Sequence, residues 1–330
     1  MYQNFYGLRE LPFELAANPR FLFLTSRQRE ALSNLEYGLF SAKSLTLLLG
    51  EAGTGKTTLL QAALKSERCR HVRCVCINNP ILTIEDFVRL LAVRFDLGID
   101  AAASKSLLLD RLEQLLREGR RRGEITALVV DEAQSVSDSL LEEVRLLANI
   151  ETPTEKLLPL VLAGQPELGF RLEDPALRQL KQRVTLRCEL APFDLSDTAA
   201  YIGSRIKTAG GVPSRLFTQE AVKLIHEHAR GIPRTVSVVC DNALLSGLAL
   251  GRQPVDRAIV LEVCRDLCLG GEAQAPAPAR TTAMDFDGDV TVPPNDRSDQ
   301  TDSGVADELE PSRVAKLART VFGRTAAMKR

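Results

Sequence analysis

Two stretches of this 330-residue chain place together the residue types that handle a polyphosphate. The first is Gly50-Glu51-Ala52-Gly53-Thr54-Gly55-Lys56-Thr57-Thr58, directly after the apolar run Leu45 to Leu49. Its pattern is G-x-x-x-x-G-K-[ST], in which the glycines let the backbone turn tightly and aim several N–H groups at an anion. Lys56 is spaced to reach the β- and γ-phosphates of ATP, and Thr57 offers a hydroxyl to Mg2+. A helix opening near Lys56 adds its positive dipole end to the same anion. The second stretch is the apolar run Ile125 to Val130, which stops at Asp131-Glu132-Ala133-Gln134. Ligands of open α/β sheets lie beyond the carboxyl ends of the strands, so both acids are expected beside the glycine loop. Asp131 then binds Mg2+ directly or through water, and Glu132 orients and deprotonates an attacking water.

The elements that must position these groups read as α/β. Strands are expected at Ser44 to Leu49, His71 to Ile77, Ile125 to Val130, Leu157 to Ala163 and Val184 to Leu190, with helical patterns between the first three. Gln165 follows the fourth strand, where a neutral polar group can touch the γ-phosphate or hold the water. From Pro192 the pattern becomes helical, over about 195–208, 218–229, 233–249 and 255–268. Pro233 suits the first position of the third of these helices, and Arg234 falls in its first turn. A cation opposes the helix dipole there, which is explained if an anion is bound nearby.

The N-terminal 43 residues are rich in aromatics, and Thr25-Ser26 opens a helix carrying Leu32, Leu35, Leu39 and Phe40. They read as a hydrophobic arm packed on the core, with the segment near Gly7 to Pro12 closing over an adenine base. Arg117, Arg120, Arg121 and Arg122 gather at a helix end, a solvated cationic cap in preference to a nucleic-acid contact. Arg178, Lys181, Arg183 and Arg187 cluster before and within the last strand. Seven cysteines with only three histidines and no C-x-x-C read as reduced core residues.

Net charge is -1, so no global basic field draws in nucleic acid. The N-terminus reads as neither signal nor transit sequence, and no apolar run spans the ~30 Å of a bilayer core. A cytoplasmic protein is expected. After Gly270 the composition turns to Ala, Pro, Asp and Ser, a disordered linker over 270–310. Residues 284–310 carry nine acidic side chains and one arginine, whereas 311–330 carry six Lys or Arg and no acid. Val314, Leu317, Ala318, Val321 and Phe322 share a helical face there, which suits an anionic membrane or partner, the acidic linker itself, or a plain soluble tail.

Taken together, Tyr6-Gly7-Leu8, Asn18-Pro19-Arg20-Phe21-Leu22, the glycine loop, Val-Asp-Glu-Ala-Gln, Leu-Ala-Gly-Gln-Pro-Glu-Leu and Leu-Arg-Gln-Leu-Lys-Gln-Arg-Val resemble an AAA+ ATPase of the ExeA/GspA type over about residues 1–268. The resemblance implies a P-loop core with a five-stranded parallel sheet over 1–191, an α-helical lid over 192–269, and rings or filaments with nucleotide at subunit interfaces. Residues 50–58 would be Walker A, with Lys56 and Thr57 in its active positions. Asp131 and Glu132 would be Walker B, Gln165 sensor 1 and Arg234 sensor 2. Arg183, or in reserve Arg178, would be the arginine finger acting in the neighbouring subunit. Relatives energise assembly of secretion, pilus and exopolysaccharide systems, implying a membrane-associated protein partner and a place at the inner membrane. Gln28 departs from the histidine common in the family. A sister group of transposition ATPases of the TniB and TnsC kind binds DNA, a less favoured reading here. A nucleotide-dependent scaffold with negligible turnover is the third.

Overall fold

The computed structural model describes residues 2–15, 18–78 and 82–269. The expected linker and basic amphipathic segment lie outside the described residues. Five strands form one parallel sheet: β1 Leu45–Gly50, β2 Val72–Ile77, β3 Ile125–Val130, β4 Leu160–Gly164 and β5 Val184–Leu190. Their order across the sheet is β2-β3-β4-β1-β5. The three central strands are buried at every residue, whereas edge strand β5 alternates, which is why the former read as unbroken apolar runs. The fourth strand begins three residues later than the sequence pattern suggests. Leu157 and Leu158 are buried, but the ladder starts only after Pro159, whose carbonyl accepts from the Leu128 N–H at 3.0 Å and which itself has no N–H to give.

Successive strand residues feed opposite faces. Leu47, Leu128, Leu160 and Leu162 meet Phe87, Leu91, Leu112 and Leu141 on one face, while Leu48, Val129 and Val161 meet Leu35, Leu39, Leu59 and Leu60 on the other. The second face is covered by α1 Ser26–Phe40 and α2 Lys56–Leu64. The first is covered by α3 Ile84–Arg94, α4 Lys105–Arg121, α5 Asp138–Leu147 and the short α6 Pro166–Arg171. Gln28 has a structural use. Its backbone N–H donates to Thr25 Oγ1 at 3.2 Å and its Oε1 accepts from the Thr25 N–H at 3.1 Å, a capping box that starts α1. At the end of α4, Arg117, Arg120 and Arg122 pair with Glu113, Glu155 and Glu124; Arg117 and Arg122 are solvated as expected of the cap, whereas Arg120 is half-buried.

Beyond β5, helices α7 Leu195–Thr208, α8 Gln219–Ala229, α9 Pro233–Ala249 and α10 Arg257–Asp266 enclose a separate core of Ile206, Leu224, Ile225, Val239, Leu244 and Val260. The N-terminal arm belongs to this core: Tyr2, Tyr6, Leu8, Phe13 and Phe21 are buried in it, although the sequence grouped the arm with the sheet. Tyr2 donates to Asp241 Oδ1, and Tyr6 donates to the Leu244 carbonyl at 3.1 Å. Of the seven cysteines, Cys69, Cys188, Cys240 and Cys264 are buried as expected, but Cys268 is exposed.

Candidate nucleotide site

At the carboxyl end of β1 the chain turns through Glu51 to Gly55 into α2, and Lys56 is its first helical residue. Lys56 is only 5% exposed. Its ammonium donates to the carbonyls of Gly50 at 2.8 Å and Glu51 at 3.1 Å, so the cation already lies along the loop that would wrap a phosphate. Burial pushes its pKa down, and the carboxylates of Glu132, Asp131 and Glu167 pull it back up. Thr54 locks the loop by donating to the Glu51 carbonyl at 2.8 Å. Thr57 Oγ1 donates to Asp131 Oδ2 at 2.7 Å, joining the two sequence half-sites. Asp131 is buried, and its Oδ1 accepts the Glu132 N–H at 3.0 Å. Glu132 is exposed and takes the left-handed conformation at φ 54°, a strained setting for a residue with a side chain.

A cavity of about 400 Å³ opens over this end of the sheet. Gly53, Gly55, Lys56, Thr57, Thr58 and Glu132 form one wall, and Tyr201, Arg205, Pro233, Arg234 and Ser237 from α7 and α9 form another. Arg234, exposed in the first turn of α9, is tied to the loop by its own N–H, which donates to the Gly53 carbonyl at 3.2 Å. Gly53 sits at φ 84°, and a Cβ there would meet Arg234 Cβ at 2.9 Å and Ile232 Cγ2 at 3.0 Å. Only glycine lets the helix approach the loop this closely.

The third wall corrects the expectation for the arm. Glu14, Leu15, Asn18, Phe21 and Leu22 line the cavity. The segment Gly7 to Pro12 instead packs on the turn after α7, where Arg9 N–H donates to the Ala209 carbonyl at 2.8 Å and Leu8 abuts Gly211. Arg205, which no sequence pattern singled out, holds the lining segment to α7. Its guanidinium donates to the carbonyl of Glu14 at 3.0 Å and to the Tyr201 hydroxyl at 2.6 Å, and also to the Pro12 carbonyl. It lies over the Phe21 ring at 5.1 Å.

Gln165 caps the start of α6, half-buried, and its backbone N–H donates to Gln134 Oε1 at 3.1 Å. Gln134, quoted in the sequence motif without a role, thus links β4 to the acidic pair. Arg178 and Arg183 do not line this cavity. Arg178 is exposed and Arg183 half-buried near Glu151. The donor set of Thr57 and Asp131, two hard oxygens at the phosphate end, fits Mg2+.

Residues 40–172 match a family described as AAA domain. General secretion pathway protein A of Aeromonas hydrophila is 40% identical over 255 residues, 77% of this chain and 46% of the relative. The chain is an AAA+ protein of the general secretion pathway protein A type. It spans about half the length of that relative. The AAA+ fold recurs in Cdc6p of Pyrobaculum aerophilum, with TM-score 0.59 and 18% identity over 79% of this chain and 72% of the other. It recurs in the Aeropyrum pernix ORC2 protein in its ADPNP-ADP complexes, with TM-score 0.57 and 18% identity over 77% and 71%. A Walker-type ATPase of Pyrococcus abyssi gives TM-score 0.54 and 20% identity over 78% and 77%. In this AAA+ protein the glycine loop, Glu132 and the helices past β5 enclose one cavity, with Asp131 bonded to Thr57 in its wall.

Proposed function

We propose that this AAA+ protein hydrolyses ATP and uses the nucleotide state to drive assembly or remodelling of a cell-envelope system of the secretion, pilus or exopolysaccharide class. The observation that carries the reading is the 2.7 Å bond from Thr57 to Asp131, at the mouth of a cavity that Lys56, Glu132 and Arg234 share. In this reading the loop N–H groups and Lys56 hold the phosphates. Thr57 and Asp131 hold Mg2+, which when bound neutralises charge on the β- and γ-phosphate oxygens. Glu132 takes a proton from the attacking water, and Gln165 holds that water. Arg234 meets the phosphates from α9 and relays their state to a lid of residues 192–269, which carries the N-terminal arm in its core and is hinged on the sheet domain.

The protein acts as a homo-oligomer, a ring or filament. Arg183 from a neighbouring copy reaches the γ-phosphate, with Arg178 the alternative; neither serves its own cavity. The name of the relative, general secretion pathway protein A, supports the envelope role and a membrane-associated protein partner. Among the described residues no helix is long and apolar enough to cross a membrane. In this reading residues 311–330 or that partner bring the protein to the inner membrane from the cytoplasm.

The test is the steady-state ATPase rate alone, with anionic vesicles and with duplex DNA, against the Glu132→Gln variant. We expect turnover above that variant, and stimulation by vesicles that disappears when residues 311–330 are removed. Turnover equal to the variant under all three conditions overturns hydrolysis. Stimulation by DNA alone moves the protein to the transposition-type reading.

A further inference from the structure

We propose that Gln134 is a positioning residue that orients the Glu132 carboxylate and ties it to β4 and α6. The proposal rests on the hydrolysis reading above. A glutamine amide has one donating and one accepting end, and here both are used. Gln134 Nε2 donates to Glu132 Oε2 at 2.6 Å, and Gln134 Oε1 accepts the Gln165 N–H at 3.1 Å. Reversing the amide would set an oxygen against a carboxylate and an NH2 against an N–H, so these two partners fix its orientation.

The backbone of Gln134 is anchored as well. Arg171, at the end of α6, donates to the Gln134 carbonyl at 2.8 Å and pairs with Asp138. The last residue of β4 makes the space: a Cβ on Gly164 would lie 3.0 Å from Gln134 Oε1 and 3.3 Å from its N. The far end of this chain of contacts is therefore rigid, and the near end grips one oxygen of an exposed carboxylate. Among the described residues the other oxygen, Glu132 Oε1, has no hydrogen-bond partner. A bond to an exposed carboxylate adds little to folding stability. Its effect is directional: it holds a glutamate whose backbone is already in the left-handed region and leaves one oxygen to receive a proton. General-base catalysis depends on such placement before it depends on pKa.

Two variants separate positioning from mere support of the turn. Gln134→Glu keeps an acceptor for the Gln165 N–H and sets an oxygen against Glu132, whereas Gln134→Leu removes both ends. If Gln134 orients Glu132, both variants lose about 10- to 100-fold in kcat, while the ATP KM and the Kd of a fluorescent ATP analogue stay within about twofold of the parent. Full kcat in Gln134→Glu overturns the proposal, because the residue would then serve only the turn at Gln165. A rise in KM at constant kcat overturns it too. The contact has a readout that needs no turnover: the Gln134 side-chain amide in a 15N–1H spectrum, assigned by its loss in Gln134→Leu, shifts on Glu132→Ala. No shift overturns the contact, whereas a shift with no turnover in the unmodified chain counts against the hydrolysis reading alone.

Discussion

Thr57 and Asp131, 74 residues apart in the chain, are joined by a 2.7 Å hydrogen bond between a hydroxyl and a buried carboxylate. The pair lies where β1 and β3 both end, although β4 separates those strands in the sheet. Asp131 also accepts the Glu132 N–H through its other oxygen, so one carboxylate fixes both the Thr57 hydroxyl and the next backbone unit. Asp131→Asn keeps the shape and removes the charge. We expect the Mg2+ concentration for half-maximal ATPase to rise by about 10- to 100-fold, the range seen when partners of a metal are altered. An unchanged Mg2+ titration would remove Asp131 from the metal site.

Gly53 is where the first turn of α9 meets the phosphate loop. Gly53→Ala combines a left-handed φ of 84° with contacts of 2.9 and 3.0 Å to Arg234 and Ile232. Its cost is of order 1–3 kcal/mol in strain, and relief comes by pushing α9 off the loop. The expected result is a lower melting temperature together with weaker ATP binding. A variant that is less stable but binds ATP like the parent would show that this contact is only structural.

Much of this arrangement is legible in the sequence. The central strands stop where an apolar run meets Gly50 or Asp131, and burial on both faces makes those runs unambiguous. The start of β4 is not, because Leu157 and Leu158 are buried without joining the ladder. Lys56, Thr57, Asp131, Glu132 and Arg234 come together as their motifs imply. The cavity wall from the arm was misplaced by several residues. Aromatic content marks the arm, but only its packing on α7 decides that Glu14 to Leu22 face the cavity. Gln134 and Arg205 are invisible for the same reason: their partners lie 31 and up to 193 positions away.

Arg205 is where the arm wall is fastened. Arg205→Ala removes donors from the carbonyls of Pro12 and Glu14 and from Tyr201, and frees the Phe21 ring. The segment that lines the cavity then loses its anchor to α7. ATP KM should rise by about tenfold or more, with kcat at saturating ATP changed far less, the mark of lost ground-state binding. A fall in kcat at constant KM would instead assign Arg205 to the chemical step.

The arm also carries a pH dependence. Burial pushes the Tyr6 hydroxyl from 10.0 up to about 12, and burial with the Asp241 bond raises Tyr2 as well. An unfolded tyrosine loses its proton near pH ~10, so between there and pH ~12 the unfolded chain holds fewer protons than the fold. The stability contributed by protonated Tyr6 is complete below that window and is lost as pH rises through it. Urea unfolding at stepwise alkaline pH should show a falling midpoint, and Tyr6→Phe should flatten the fall. Equal slopes in both proteins would mean that Tyr6 titrates as it does in the unfolded chain.

Arg183 precedes β5, and neither it nor Arg178 lines the cavity of its own chain. If either of these two arginines completes a site, it is the site of another copy. Arg183→Ala should keep ATP binding and lose about 10³-fold or more in turnover, the scale of an arginine finger. Glu132→Gln should also be inactive, for the different reason that its own site lacks a base. A mixed oligomer can place an intact site from the first variant beside an intact Arg183 from the second. Mixing the two inactive proteins should therefore restore turnover, and mixing either with itself should not. Recovery with Arg178→Ala in place of Arg183→Ala would assign the finger to Arg178. No recovery in either mixture, with oligomers present, would place the missing cation elsewhere in the chain.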